Sequence, residues 1–226
     1  MTADNSPPSI LIIGAAQGIG QAIARTFAAD HYHVILADVS ESVYDTAQQI
    51  REDLPPASLA ATVLDATDLK AVEQLAENIT ELLPDGQQNL QHVVYSAGAG
   101  SGKFGFPFWN MHPADWKRVL DVNLMGAVNV AHAFSKVLRA NLRDNSTKVV
   151  DSTLLFIASI AGQMGSQTDP PYSAAKAGLI NFMQVVAKDL APYGIRANAI
   201  SPGLVQTTLN RSVWQAWNAQ QAEHDQ

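Results

Sequence analysis

The apolar run Ser9-Ile10-Leu11-Ile12-Ile13 stops at Gly14, and Gly18 and Gly20 follow before an amphipathic stretch begins at Gln21. A short continuous apolar run bounded by glycine reads as a buried strand. The amphipathic stretch reads as a helix. Glycines between the two let the backbone approach a phosphate, and the helix N-terminus offers free N–H groups and a positive dipole end. This order places a nucleotide phosphate at Gly14, Gln17, Gly18, Ile19 and Gly20. The spacing is Gly-x-x-x-Gly-x-Gly, not the usual Gly-x-Gly-x-x-Gly of dinucleotide sites.

The rest of the chain continues the alternation. His33 to Asp38 is a second strand, ending in a carboxylate 18 residues after Gly20. A carboxylate at about 20 residues binds the adenosine ribose hydroxyls and repels a 2′-phosphate. Its neighbours Gln17 and Val39 bring no positive charge. NAD is therefore expected over NADP. The other reading of Asp38 is a helix cap, a place Ser40 or Ser42 fills equally well. A helix from Ser42 to Asp53 ends before Pro55-Pro56, and Leu59 to Leu64 is a third strand. Asp68 caps a helix reaching Leu83, and Leu90 to Tyr95 is a fourth strand. A helix from Asp115 continues through a break or bend at Asn123 to Arg143. Thr153 to Ala158 and Ile195 to Ile200 are the last two strands. Strands alternating with helices indicate a doubly wound parallel sheet of Rossmann type, six or seven strands with helices on both faces. The ligand belongs at the C-terminal strand ends, where Gly14, Asp38, Asp65 with Ala66, and Ala97-Gly98 fall. The loop from Gly98 to Met111 carries Phe104, Phe106, Phe108 and Trp109, which either shape an apolar substrate pocket or pack on a partner subunit.

Late in the chain stands Tyr172-Ser173-Ala174-Ala175-Lys176, preceded by Asp169-Pro170-Pro171. Asp169 reads as a cap and the prolines as a first helical turn. Residues four apart share a helix face, so Tyr172 and Lys176 point the same way. A nearby ammonium lowers the pKa of a phenol and makes it a usable acid/base near neutral pH.

Composition removes several classes. The chain is 47% hydrophobic and 15% charged, with a formal net charge of -7 and no run of Lys or Arg. A nucleic-acid surface is not expected. Without cysteine there is no disulfide, thiolate nucleophile or zinc–thiolate site. Of six histidines only His31 and His33 are paired, with no third ligand in view, so no metal site is expected. No apolar run approaches the ~18 residues of a membrane span. Met1 to Pro8 has no basic-then-apolar pattern, so no signal peptide is expected and the default location is cytoplasmic. Length fits one domain over 1–226, with a flexible tail at 1–8 and a substrate lid or tail at 211–226.

Together these features resemble the short-chain dehydrogenase/reductase family over roughly residues 9–210. The family's glycine motif matches Gly14, Gly18 and Gly20, and its tetrad matches Asn123, Ser159, Tyr172 and Lys176. Its Pro-Gly and Val-x-Thr signature matches Pro202, Gly203, Val205 and Thr207. Its Asn-Asn-Ala-Gly motif survives only as Ala97-Gly98, behind Tyr95-Ser96, and Ile13 replaces the usual Thr. Ile13, and Ser96 in place of an Asn that normally ties neighbouring strands, are both expected to weaken the scaffold without removing a catalytic group. The family's closing helix, seventh strand and Asp-Gly-Gly-like segment have no counterpart in the polar, Gln-rich stretch 214–226. The sheet therefore has six strands, or the sequence omits a tail.

The resemblance implies hydride transfer between NAD(H) and a secondary alcohol or ketone, hydroxyacyl-, polyol- or steroid-like. Tyr172 is the implied acid/base. Lys176 lowers its pKa and holds the nicotinamide ribose, Ser159 binds the substrate oxygen, and Asn123 holds a water that relays protons. Gly98 and Thr207 contact cofactor. The alternatives are an NADP-dependent 3-oxoacyl carrier-protein reductase and a non-catalytic NAD-binding sensor or scaffold. A homodimer is expected through the helices 123–143 and 172–193, with a tetramer as an option. The second helix carries apolar residues most of the way round, more than packing on a sheet needs.

Overall fold

The computed structural model describes residues 7–207 apart from 86, 88, 104, 106, 142–150 and 166–168. The tail expected at 211–226, most of that at 1–8, and the aromatic rings of Phe104 and Phe106 lie outside the described residues. Six strands form one sheet: β1 (Ser9–Ile13), β2 (His33–Asp38), β3 (Ser58–Val63), β4 (His92–Tyr95), β5 (Thr153–Ile157) and β6 (Arg196–Ile200). Their order is β3-β2-β1-β4-β5-β6, and every neighbouring pair is parallel. The order reverses between β1 and β4, and open α/β sheets bind ligands at such a switch.

The helices are α1 (Gly18–Ala29), α2 (Ser42–Asp53), α3 (Leu69–Glu77), α4 (Pro113–Leu120), α5 (Gly126–Ala140) and α6 (Pro170–Leu190). Side chains alternate across each strand. Ile10, Ile12, Val34 and Leu36 pack with α1 and α2 on one face. Leu11, Ile13, Val93, Tyr95 and Phe156 pack with α3, α5 and α6 on the other. Burial of apolar surface on both faces is the main stabilising term for such a sheet.

Several boundaries differ from the sequence reading. The helix after Asp68 stops at Glu77, and a 3-10 turn at Ile79–Leu82 follows. Asn78 Nδ2 takes the Gln74 carbonyl at 3.0 Å and closes the helix there. Asp68 is the cap expected, accepting Lys70 N–H at 2.9 Å. The break at Asn123 is real and has a definite form: a π turn, Asp121–Met125, separates α4 from α5. α6 ends at Leu190, continues as a 3-10 turn through Tyr193, and closes on Gly194 at φ +67°. Its wheel is less uniformly apolar outside than expected: Ala175, Lys176, Leu179, Val186 and Leu190 face inward, while Ala174, Ala177, Asn181 and Val185 are exposed.

Candidate active site

The C-terminal strand ends open into a cavity of about 890 Å³. That size is ordinary for a cofactor or small-ligand site. Of the sequence-predicted site residues, the structure brings Gly14, Gln17, Gly18, Ile19, Gly20, Asp38, Asp65, Ala66, Ala97 and Gly98 to its wall. Ser159, Tyr172, Lys176, Pro202, Gly203, Val205 and Thr207 complete it. Asn123 does not line it and stands fully buried behind Gly98. Val39, the neutral neighbour of Asp38, also lines the cavity; Thr67, Ile160 and Leu204 line it too and had no signal in the sequence.

The glycine loop is shaped by close approach. A Cβ on Gly14 would lie 2.5 Å from Ala97 N, and one on Gly20 would lie 2.0 Å from Gly14 O. Gly14 and Gly18 also sit at φ +86° and +59°, where glycine carries no steric cost. Gly18 opens α1, so its free N–H groups and dipole end face the cavity. Asp38 does not cap α2. Its Oδ2 accepts Ala16 N–H and its Oδ1 accepts Ser40 N–H, both at 3.0 Å. The carboxylate is thereby held at the cavity rim with lone pairs to spare. Bare glycines, a helix N-terminus and a fixed rim carboxylate suit a dinucleotide.

At the other end Tyr172 and Ser159 line the wall together, and the Ser159 hydroxyl favours the ionised phenol. Ser159 Oγ also accepts Ala161 N–H at 3.2 Å, which fixes the hydroxyl. Lys176 Nζ donates to the Ile157 carbonyl at 2.8 Å and lies 5.5 Å from the centre of the Tyr172 ring. Asn123 Nδ2 donates to the carbonyls of Ala99 and Val119, and its Oδ1 is buried without a partner. A Cβ on Gly98 would stand 3.1 Å from that Oδ1 and 3.8 Å from Lys176 Nζ. Both polar atoms thus stand close to the same bare Cα.

The electrostatics correct one expectation. Lys176 is only 2% exposed, and desolvation lowers its pKa to about 7. Burial pushes the Tyr172 phenol up; the Ser159 hydroxyl opposes this and the Asp169 charge adds to it. The protein's own charges do not lower the phenol, because burial acts on both members of the pair before either can help the other.

Asp169 is a second correction. It makes no side-chain cap on α6. Instead its Oδ2 accepts the Ser101 N–H at 2.8 Å and fastens the loop after β4. The same loop is held by Arg118 Nη2 on the Gly100 carbonyl and by Lys103 paired with Asp115, each at 2.6 Å. Sequence reasoning also missed Tyr95 and Asn129. Tyr95 Oη donates to the Val122 carbonyl in the π turn. Asn129 Nδ2 donates to the Ala66 and Thr67 carbonyls and holds the cavity wall after β3. A buried Asn in an apolar helix face was the available signal for the second.

The sequence model described as short chain dehydrogenase matches residues 8–218. A 3-oxoacyl-[acyl-carrier-protein] reductase of Synechocystis sp. is 30% identical over 206 residues, 90% of this chain and 76% of its own length. An NAD-dependent glycerol dehydrogenase of Listeria innocua is 28% identical over 204 residues, 90% of this chain and 73% of its own. Among solved structures, a sorbitol-6-phosphate 2-dehydrogenase from Erwinia amylovora is 28% identical with a TM-score of 0.79, covering 94% of this chain and 78% of its own.

Proposed function

Because the chain belongs to the short-chain dehydrogenase family and is an oxidoreductase of that family, we propose that it moves a hydride between NAD(H) and a secondary alcohol or its ketone. The observation that carries this is the grouping of Tyr172, Ser159 and Lys176 on the wall of one cavity that the glycine loop also lines, with Lys176 Nζ 5.5 Å from the Tyr172 ring centre. The nicotinamide supplies the hydride chemistry when bound. Tyr172 takes the hydroxyl proton in oxidation and returns it to the carbonyl oxygen in reduction. Ser159 holds the substrate oxygen as charge develops on it. Lys176 and Asn123, both close to Gly98, pass the proton on through a held water.

NAD over NADP rests on Asp38, with Gln17 and Val39 beside it on the wall. The cationic lining residues are Lys117, Arg118 and Lys176, on α4 and α6 rather than next to Asp38. A 3-oxoacyl reductase using NADP is the second reading, favoured by the name of the Synechocystis relative. We also propose a homodimer through α5 and the outward row of α6. A panel of secondary alcohols and 3-oxoacyl thioesters, followed at 340 nm with each cofactor, tests both readings. Alcohol turnover with NAD supports the first; thioester reduction with NADPH alone replaces it with the second.

A further inference from the structure

Among the described residues, the large apolar side chains left exposed on the cavity wall are Val39, Ile160, Leu204 and Val205. Other apolar lining residues, such as Ile13, Leu64, Tyr95 and Ile157, are buried in the protein's own core. Val39 adjoins Asp38, at the dinucleotide end. Ile160 and Leu204 stand at the Ser159 end, 44% and 52% exposed. Ile160 directly follows Ser159, so their Cα atoms are about 3.8 Å apart. The Ile160 N–H donates to the Pro202 carbonyl at 3.1 Å and ties the turn after β5 to the loop after β6. Its side chain lies over Gly203, where an added Cβ would stand 3.9 Å from Ile160 Cδ1. Leu204 is the next residue, so the two side chains border one strip of wall beside Ser159. Apolar surface bared to water in this way gains free energy when an apolar group covers it.

We propose that Ile160 and Leu204 form an apolar lip that receives a hydrocarbon chain on the reacting carbon, which makes the substrate a medium-chain secondary alcohol or its ketone rather than a polyol. This rests on the dehydrogenase reading above and narrows it. With the reacting oxygen at Ser159, one substituent of the reacting carbon runs along the lip. Each methylene laid there leaves water and covers part of the two side chains in the same step. A hydroxyl on that chain would lose its water and find no partner on either side chain. The chain is held alike in the ground and transition states, so its length acts on KM and leaves kcat nearly constant. Ile160 and Leu204 touch no reacting atom; they determine specificity.

The test is a chain series from butan-2-ol to octan-2-ol, with NAD and with NADP. In the wild type kcat/KM should rise roughly two- to fourfold per methylene, carried by KM. Leu204→Ser and Ile160→Thr should each remove part of that rise, and the double variant should bring it below about 1.5-fold per methylene. Turnover of butan-2-ol, NADH affinity in a fluorescence titration and the thermal midpoint should stay near those of the wild type. A wild-type series in which every alcohol is turned over without a rise sinks the lip and leaves the dehydrogenase standing. A rise that survives in the double variant also overturns the lip. Weaker NADH binding by the double variant assigns both side chains to the cofactor and overturns it as well. No turnover of any alcohol with either cofactor sinks both readings.

Discussion

Tyr95 and Gly126 form a lock on the π turn that carries Asn123, and a double-mutant cycle can measure it. Tyr95 is fully buried, and its hydroxyl donates to the Val122 carbonyl, one residue before Asn123. Gly126 begins α5 directly beneath that hydroxyl: a Cβ there would lie 2.2 Å from Tyr95 Oη, 3.2 Å from Cζ and 3.4 Å from Ala66 Cβ. Tyr95→Phe strips the Val122 carbonyl of its donor and should cost about 1–3 kcal/mol. Gly126→Ala alone forces methyl and hydroxyl into one place, an overpacking worth about 1–3 kcal/mol or more. With the hydroxyl gone, the methyl meets Cζ at a distance that small shifts relieve, and Ala gains up to about 1 kcal/mol over Gly in a helix. The double variant should therefore be more stable than the sum of the singles by about 1–3 kcal/mol. At roughly 2–4 °C per kcal/mol for a chain this size, thermal unfolding resolves this. Urea unfolding supplies the free energies. Turnover gives a second reading: Tyr95→Phe should lose roughly ten- to a hundredfold in kcat as Asn123 loses its fixed place, with cofactor affinity held. Additivity within about 0.5 kcal/mol refutes the lock.

Four further outcomes follow. NAD(H) should bind more tightly than NADP(H) in a fluorescence titration, and Asp38→Ala with Val39→Arg should reverse the order; tighter NADP(H) binding by the wild type ends that assignment. Tyr172→Phe should abolish turnover with cofactor affinity intact, and because burial raises the wild-type phenol, reduction should persist into alkaline pH and fall only as pH climbs through the raised value. Lys176 is lowered from 10.5 to about 7, so the unfolded chain binds a proton the folded chain lacks between those values and stability rises with pH across that window. Lys176→Met should erase that rise, about 1.4 kcal/mol per pH unit; an unchanged slope in urea melts at pH 7, 8 and 9 contradicts the burial argument. Ala177→Glu, on the exposed row of α6, should turn a light-scattering dimer into a monomer with lower activity, and a wild-type monomer at micromolar concentration removes the dimer.

What was legible in the sequence was what short windows carry. β1, β2 and α2 match to the residue, because apolar runs ending at Gly14 and Asp38, and a helix stopped before Pro55-Pro56, leave little latitude. The glycine loop, Asp38 and the Tyr172–Lys176 pair were readable for the same reason, whereas Ser159 came only from the family resemblance. A break or bend at Asn123 was expected, but its π form was not. The Tyr95 and Asp169 bonds join residues 27 and 68 apart in sequence, and no local pattern records them. Asp169 misled because Asp before Pro-Pro is a good cap pattern. Two prolines in the first turn also remove the N1 and N2 N–H groups and leave a cap only that of Tyr172, and the carboxylate turned to the loop instead. Spacing placed Lys176 beside Tyr172 correctly. It said nothing of burial, and burial set the direction of both pKa shifts.

The departures at Ile13 and Ser96 read in sequence as a weakening of the scaffold. In the structure the contact between β4 and β1 is carried by backbone: Ser96 N–H donates to the Ile13 carbonyl at 2.8 Å, so no side chain is required there. Tyr95 brings a phenol long enough to cross from β4 to the π turn. A π turn leaves carbonyls out of the ordinary helical ladder. Val122 is held by Tyr95, while Asn123 Nδ2 takes the Val119 carbonyl within the helix and that of Ala99 in the loop. The result is a chain of buried hydrogen bonds running from the sheet through the π turn to the loop that Asp169 fastens from the other side. Apart from the Asn123–Val119 bond, each link joins two different elements, so removing one loosens the next. Losing Tyr95 Oη should therefore register at Asn123, and through Ala99 in the placement of the Ser101 loop.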